Sequence, residues 1–259
     1  MQDWFKGWLE LPIPALFATL FAFYFGTAAF IVWLSFRSRL SPRIQSFRGL
    51  VAPFFVSTAT IFALLVGFLS SDIWERNKQA ARVVLTERDT LVALHSLGAA
   101  SGTDDPRLRT AIRNYVLAVV EDEWPRLAVQ QRSEKADAAL NALMQEVALP
   151  ATSRDSVIQR TMLDMVLKIR AAHDDRVSLS NDRTMATKWA AVLVLALITQ
   201  AAIAAVHLDK PRPQSAALCI FTLAAVLILG LLAVHEAPFE PPVFVPPGPI
   251  ADVLKQVPT

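Results

Sequence analysis

Four long stretches without a single charged side chain divide this sequence into two pairs. They cover residues 11–36, 49–71, 189–208 and 213–234, and a charged segment lies between the second and the third. Each stretch has at least 20 residues, which at 1.5 Å per residue is enough for a helix to cross a bilayer core of about 30 Å. We therefore predict an all-α membrane protein with four transmembrane helices, paired on either side of a large insertion.

The composition supports the membrane assignment and argues against several other classes. Hydrophobic residues make up 54% of the chain, whose formal net charge of +2 gives no support for nucleic-acid binding. The single cysteine, Cys219, excludes a disulfide within one chain. The sequence contains no glycine-rich phosphate loop, no H-E-x-x-H and no nucleophile elbow. We predict no enzymatic activity and no cofactor or metal. The expected partner of the apolar surface is the lipid bilayer.

The chain divides into four segments by these patterns. Residues 1–73 hold the first helix pair, 74–188 an extramembrane domain, 189–236 the second pair and 237–259 a proline-rich tail. Apolar residues recur at a helical period through the insertion, which predicts a four-helix bundle between the second and third spans. The tail should not form helix before Ile250, and its apolar residues predict packing against the domain or the membrane interface.

The helices of the insertion have recognisable ends. The second span has no breaker between Gly67 and Gly98, so its helix should continue into the insertion. A second helix starts near Pro106, and a third should run from about residue 126 to 147. The sequence contains no proline or glycine between Pro150 and Pro211. We therefore expect the fourth helix to run unbroken into the third span, over about 55 residues.

Short loops indicate the orientation. The loop between the first two spans carries four arginines and no acid, and the loop between the last two carries Lys210 and Arg212 against Asp209. The positive-inside rule then places both loops in the cytoplasm and the helical domain on the opposite side. We expect a multi-pass protein of a bacterial inner membrane.

Charged groups in the insertion are interpreted as solvated surface. In the run His173-Asp174-Asp175-Arg176, neighbouring residues do not share a helix face, so they should not converge on a metal ion. The acidic run 121–123 beside Trp124-Pro125 should solvate a helix end. In the third span, by contrast, Gln200 should face other helices, because an unpaired amide in lipid is costly.

The second span carries the candidate site. Small and weakly polar side chains recur there at three- to four-residue spacing, together with one leucine: Ser57, Thr60, Leu64, Gly67 and Ser71. Such a stripe is typical of close helix packing in membranes, and it can also line a pore. Phe54 and Phe55 follow Pro53 and could form an apolar constriction, or simply begin the helix at the interface. Both alternatives stay open at this point.

Several ordered motifs resemble those of the bestrophin-like domain family. They are Trp74-Glu75 after the second span, Glu87-Arg88 where the family usually has Glu-Ala, Tyr115, Glu123-Trp124-Pro125, Arg176 and Trp189 before the third span, and Glu236-Ala237-Pro238-Phe239 after the fourth. Glu240 stands where a glycine commonly follows. The resemblance covers most of the chain.

The resemblance implies a relation to bestrophin anion channels, which assemble as oligomers around a pore lined by the second span. It therefore predicts a homo-oligomer that conducts a small ion. It also implies a cytosolic helical domain, in conflict with the arginine loop. The alternative function is a membrane-anchored sensing or partner-binding module, whose helical domain would hold an unidentified ligand in a pocket.

Overall fold

The structure is a computed structural model that describes residues 7–9, 11–51, 53–100, 106–149, 156–182 and 184–257. These described residues are helical throughout, apart from turns and short connections, and contain no strand. The α-helices are α1 Ile13–Phe36, α2 Ser41–Gln45, α3 Pro53–Ala100, α4 Pro106–Ala118, α5 Trp124–Leu127, α6 Glu134–Ala148, α7 Ser156–Asn181, α8 Ala186–Val206, α9 Pro211–Val234, α10 Gly248–Ala251 and α11 Val253–Gln256. A π-helical turn, Val119–Glu123, joins α4 to α5.

The chain forms two compact units. Residues 1–74 and 184–236 make the first, which we call the membrane unit. Residues 75–183 and 237–259 make the second, the helical unit. The helical unit therefore includes the proline-rich tail.

Four helices of the structure are long and apolar enough to cross a membrane. They are α1, α3, α8 and α9. The prediction of four membrane helices is confirmed in this sense. The prediction that α3 continues beyond the second span is also confirmed, since α3 has 48 residues and ends at Ala100.

The membrane unit is held together by apolar packing and one polar network. Leu20, Trp189 and Leu229 are among the side chains buried where α1, α8 and α9 meet. The buried Gln200 amide donates to the Tyr24 carbonyl at 3.0 Å and to the Thr222 hydroxyl at 2.8 Å. Its Oε1 accepts from the Thr27 hydroxyl at 2.8 Å. Gln200 thus faces other helices, as predicted, because its polar atoms find partners there.

At Gly230, α9 packs tightly against Phe17 of α1. A Cβ atom at this position would overlap the ring of Phe17. We expect Gly230→Val to destabilise the protein by about 1–3 kcal/mol, because the ring must move within a packed interface. Thermal unfolding in detergent measures the loss. Gly26→Val in α1 is the matched control, since a Cβ at Gly26 meets no atom within 4 Å; equal losses at both positions would contradict the argument.

The helical unit is built from the C-terminal part of α3 with α4, α6 and α7. Leu91, Ile112, Leu143 and Ile169 are among its fully buried core residues. The helical unit therefore has an apolar core of its own.

The predicted start of the third helix is wrong. The third helix begins at Glu134, not near residue 126, because Trp124–Leu127 forms a separate short helix followed by a turn. The Ser133 side chain caps the new start by accepting from the Ala136 amide at 3.0 Å.

The expected unbroken helix into the third span is also wrong. Helix α7 ends at Asn181 and α8 begins at Ala186. A side chain from elsewhere in the chain accounts for the break without proline or glycine. The Glu236 carboxylate accepts from the Thr184 amide at 2.6 Å and from the Trp189 indole at 3.1 Å. The Thr184 N–H therefore donates to this carboxylate and not to a helical carbonyl.

The tail packs within the helical unit, which is one of the two placements expected for it. Phe239, Ile250, Val253 and Val257 are buried there. The Arg113 guanidinium donates to the Val257 carbonyl at 2.8 Å. Helix α10 begins at Gly248, two residues earlier than predicted, because Pro249 occupies its first turn, where proline needs no helical partner.

Candidate functional site

The small-residue stripe of α3 is uncovered within the single chain. Ser57, Thr60, Leu64, Gly67 and Ser71 are all exposed. At 3.6 residues per turn they fall on the helix face opposite a second set of side chains. That second set is buried in the core of the membrane unit and comprises Phe62, Val66, Leu69 and Ile73. One face of α3 thus anchors the helix, and the other is free to line a path or meet another chain.

The two phenylalanines at the start of α3 have different surroundings. Phe54 is 49% exposed. Phe55 is partly buried and packs within its own chain, next to Ile203 and Leu218. Only Phe54 is therefore placed to face a neighbouring molecule or an axis.

The helical unit contains a buried charged cluster built around Arg176, whose side chain is fully buried. Its Nη1 donates to Glu87 of α3, and its Nε and Nη2 donate to Oε1 of Glu123 at 3.0 and 2.5 Å. The Tyr115 hydroxyl donates to the second Glu87 oxygen at 2.5 Å. The guanidinium carbon lies 5.4 Å from the ring centre of Trp124, within range of a cation–π interaction. Side chains from α3, the π-helical turn and α5 thus surround one cation of α7.

His173 extends this cluster to the surface. Its Nδ1 lies 3.2 Å from Nη2 of Arg176 and 3.3 Å from Oε2 of Glu123. Its Nε2 lies 3.1 Å from Asp137, which also accepts from Arg132 at 2.7 Å. A guanidinium can only donate, so its contact with Nδ1 favours the tautomer that carries its proton on Nε2, toward Asp137.

The cluster places two buried carboxyl groups, those of Glu87 and Glu123, beside one guanidinium. Arg176 neutralises one of the two buried carboxylates, and an uncompensated second charge would be costly there. Burial raises the pKa of Glu123 to about 8 and lowers the pKa of His173. Burial also lowers the pKa of Arg176 to about 9, which leaves the guanidinium charged at neutral pH. The cluster is then close to neutral when Glu123 is protonated.

The raised pKa of Glu123 predicts a pH dependence of stability. Glu123 holds its proton more tightly in the folded state than in the unfolded state, so the proton stabilises the folded state. This stabilisation is complete below the ordinary pKa of 4.5 and is lost as the pH rises toward about 8. His173 has the opposite effect, but only below its ordinary pKa of 6.5. We therefore expect the free energy of unfolding to fall by up to about 2 kcal/mol between pH 6.5 and 8. Urea unfolding in detergent at several pH values measures this slope.

A conservative substitution isolates the responsible group. Glu123→Gln keeps the shape but removes the titration, so the slope should flatten. Glu121→Gln, at an exposed position of the same π-helical turn, should leave it unchanged. An unaltered slope in Glu123→Gln would assign the pH dependence elsewhere.

The expectation of solvated charges is therefore wrong for three residues. Glu123, His173 and Arg176 are fully buried, whereas Glu121, Asp174 and Asp175 are exposed as expected. The missed signal is periodicity along α7. His173 and Arg176 continue the buried stripe of Met162, Val166 and Ile169 at three- to four-residue spacing. Adjacent residues do not share a face, but residues three apart do.

The family model of the Bestrophin-like domain matches residues 22–250, which is most of the sequence. This chain belongs to the Bestrophin-like domain family. Solved structures show the same fold. A bacterial Bestrophin homologue from Klebsiella pneumoniae with one point mutation superimposes with a TM-score of 0.71 at 12% identity, over 93% of this chain and 97% of that one.

Two further structures agree. Another structure of a Klebsiella pneumoniae Bestrophin homologue gives a TM-score of 0.67 at 12% identity, over 93% of this chain and 96% of that one. A structure described as a membrane protein gives 0.72 at 11% identity, over 93% and 96%. No curated protein matches the sequence. Membership of this family and the four apolar helices together make this an integral membrane protein.

Most of the motifs that resemble the family contact one another in the structure. One group lies in the helical unit and another in the membrane unit. Glu87, Tyr115, Glu123 and Arg176 form the buried cluster, and Trp124 stacks edge-on against Phe239 at 5.8 Å. Trp189 and Glu236 are joined by a hydrogen bond in the membrane unit. These family residues thus hold the scaffold together, and the stripe on α3 remains the candidate for direct function.

Proposed function

We propose that this protein forms a homo-oligomeric pore for a small ion, with the exposed stripe of α3 lining the path. The observation that carries this is the division of α3 into two faces. The buried face anchors the helix in the core of its own chain. The opposite face carries hydroxyl groups and a glycine on the exposed surface of the chain. Serine and threonine hydroxyls can hydrogen-bond to a passing ion without trapping it as a fixed charge would.

The lining would consist of Ser57, Thr60, Leu64, Gly67 and Ser71, with Phe54 as an apolar constriction at one end. Phe55 packs within its own chain and is not part of this constriction. An apolar ring can gate a pore by excluding water. We propose an anion as the ion, by analogy with the bestrophin channels that the family resembles.

Two measurements on the purified protein test the proposal. The mass of the detergent complex should correspond to several copies of the chain. The same preparation in planar bilayers should conduct under a chloride gradient, with a reversal potential near that of chloride. A monomer, or a well-folded oligomer that conducts neither chloride nor other small ions, would contradict the proposal.

The sensing alternative receives less support. It requires a ligand pocket among the bundle helices. A groove of about 360 Å³ lies between α4 and α6, but it is an open surface groove. The bundle axis itself is filled by the apolar core and the Arg176 cluster.

We further propose that the loops of residues 37–50 and 207–210 face the cytoplasm and the helical unit the other side. The excess of arginine in the first loop supports this orientation. Its test is a cysteine at the exposed position Ser178, in a Cys219→Ala background, treated on intact cells with a maleimide that cannot cross membranes. Labelling of intact cells is expected; labelling only after lysis would place the helical unit in the cytosol.

A further inference from the structure

A cleft opens in the membrane unit where the end of α1 meets the start of α9. Its volume is about 760 Å³, within the range of sites that hold small molecules. Phe25, Val32, Trp33 and Leu218 form apolar walls, and the small Ala29 leaves room between them. Along α1 the lining extends from Phe25 to Arg37, which at 1.5 Å per residue corresponds to about 18 Å.

Two arginines lie at one end of this cleft. Arg37 follows the last residue of α1, and Arg212 lies in the first turn of α9. Both line the cleft, and the other described residues that line it carry no formal charge. Both side chains are exposed, and within the described residues neither guanidinium has an ion-pair or hydrogen-bond partner. The N-terminus of α9 adds a partial positive charge, and no side chain caps it.

The shape and the charge together indicate the class of ligand. A free anion would occupy the arginines and leave the apolar walls empty. A neutral apolar molecule would leave two cations without a partner. A lipid with an anionic headgroup satisfies both ends, because guanidinium groups bind phosphate through paired hydrogen bonds and acyl chains suit the aromatic walls.

We propose that this cleft binds an anionic phospholipid, with its phosphate between Arg37 and Arg212 and an acyl chain along α1. The site is independent of the proposed pore, since none of its residues belongs to the stripe of α3. It would anchor the α1–α9 pair at one membrane surface.

Native mass spectrometry of the detergent complex tests the site with phosphatidylglycerol and phosphatidylcholine at equal concentrations. We expect preferential retention of phosphatidylglycerol. The double variant Arg37→Gln, Arg212→Gln should bind it at least about tenfold more weakly, the loss expected from removing charge-assisted hydrogen bonds. The matched control is Arg39→Gln, Arg43→Gln. It removes the same charge from exposed arginines of the neighbouring loop that do not line the cleft, and it should retain the lipid.

Cys219 provides a second readout at the cleft wall. It is the only cysteine of the chain, and it is exposed there. Phosphatidylglycerol should slow its reaction with N-ethylmaleimide in detergent, whereas phosphatidylcholine or inorganic phosphate should not. The slowing should disappear in the Arg37, Arg212 double variant and persist in the control.

Four results would overturn the proposal. In mass spectrometry they are equal binding of both lipids and an equal loss of lipid binding in the two double variants. In the Cys219 reaction they are protection from N-ethylmaleimide by inorganic phosphate alone and protection without any added lipid. The last would indicate that a second copy of the chain covers the cleft. Equal melting temperatures of the two double variants exclude misfolding as the cause of a difference.

Discussion

Replacing Arg176 with methionine should destabilise the helical unit by about 3–5 kcal/mol, the cost typical of breaking a buried ion pair from one side. The substitution removes the guanidinium from the fully buried part of the cluster and leaves the carboxyl groups of Glu87 and Glu123 without it. Glu87 would keep its hydrogen bond from Tyr115, but Glu123 would lose the guanidinium that donates to it twice. Thermal and urea unfolding in detergent measure the effect.

Two companion variants separate charge from packing. Arg170→Met changes an exposed arginine of the same helix and should cost less than about 0.5 kcal/mol. The triple variant Arg176→Met, Glu87→Gln, Glu123→Gln removes the unpaired charges and should recover much of the loss. If Arg176→Met were as stable as Arg170→Met, the cluster would not be the structural centre of this unit.

The sequence predicts the helices of the membrane unit well because their signal is local. A span is recognised from about 20 adjacent apolar residues, and Gln200 is recognised as inward-facing from the cost of an amide in lipid. The continuation of α3 also follows locally, from the absence of a breaker before Gly98.

The break between α7 and α8 could not be predicted in this way. It depends on the Glu236 carboxylate, which is 52 residues from Thr184 in the chain. The burial of Glu123 has the same character, since its partner Arg176 is 53 residues away. A charged residue is exposed by default, and only its distant partner reverses that expectation.

The burial of part of the Arg176 cluster could nevertheless be predicted from periodicity. Glu87 continues the buried positions Val84, Leu91 and Leu94 of α3, as His173 and Arg176 do on α7. Glu87 interrupts an apolar stripe on α3, and Arg176 interrupts one on α7. Because their charges have opposite signs, the two interruptions together predict a buried ion pair. The stripe of α3 in the membrane unit shows the limit of this reasoning. Its exposure in one chain is compatible with a pore and with a packed interface.

Substitution of Thr60 by tryptophan separates these two roles. If the stripe lines a pore, each copy places an indole in the path, and the current should be largely lost while the oligomer remains intact. Thr60 is suited to this test because its side chain is exposed. Within the described residues, its hydroxyl donates only to the Val56 carbonyl of its own helix, at 2.8 Å. Removal of that bond alone should have little effect on folding. Single-channel recording and the mass of the detergent complex are measured on the same preparation.

The combination of the two readouts decides the interpretation. Ile220→Trp is the control, at a position of α9 that is 72% exposed and outside the stripe, and it should preserve both current and assembly. If the stripe instead packs against another copy, Thr60→Trp should dissociate the oligomer, because small residues allow helix backbones to approach closely and a large ring does not. A current that survives in an intact Thr60→Trp oligomer would place the conduction path away from this face of α3.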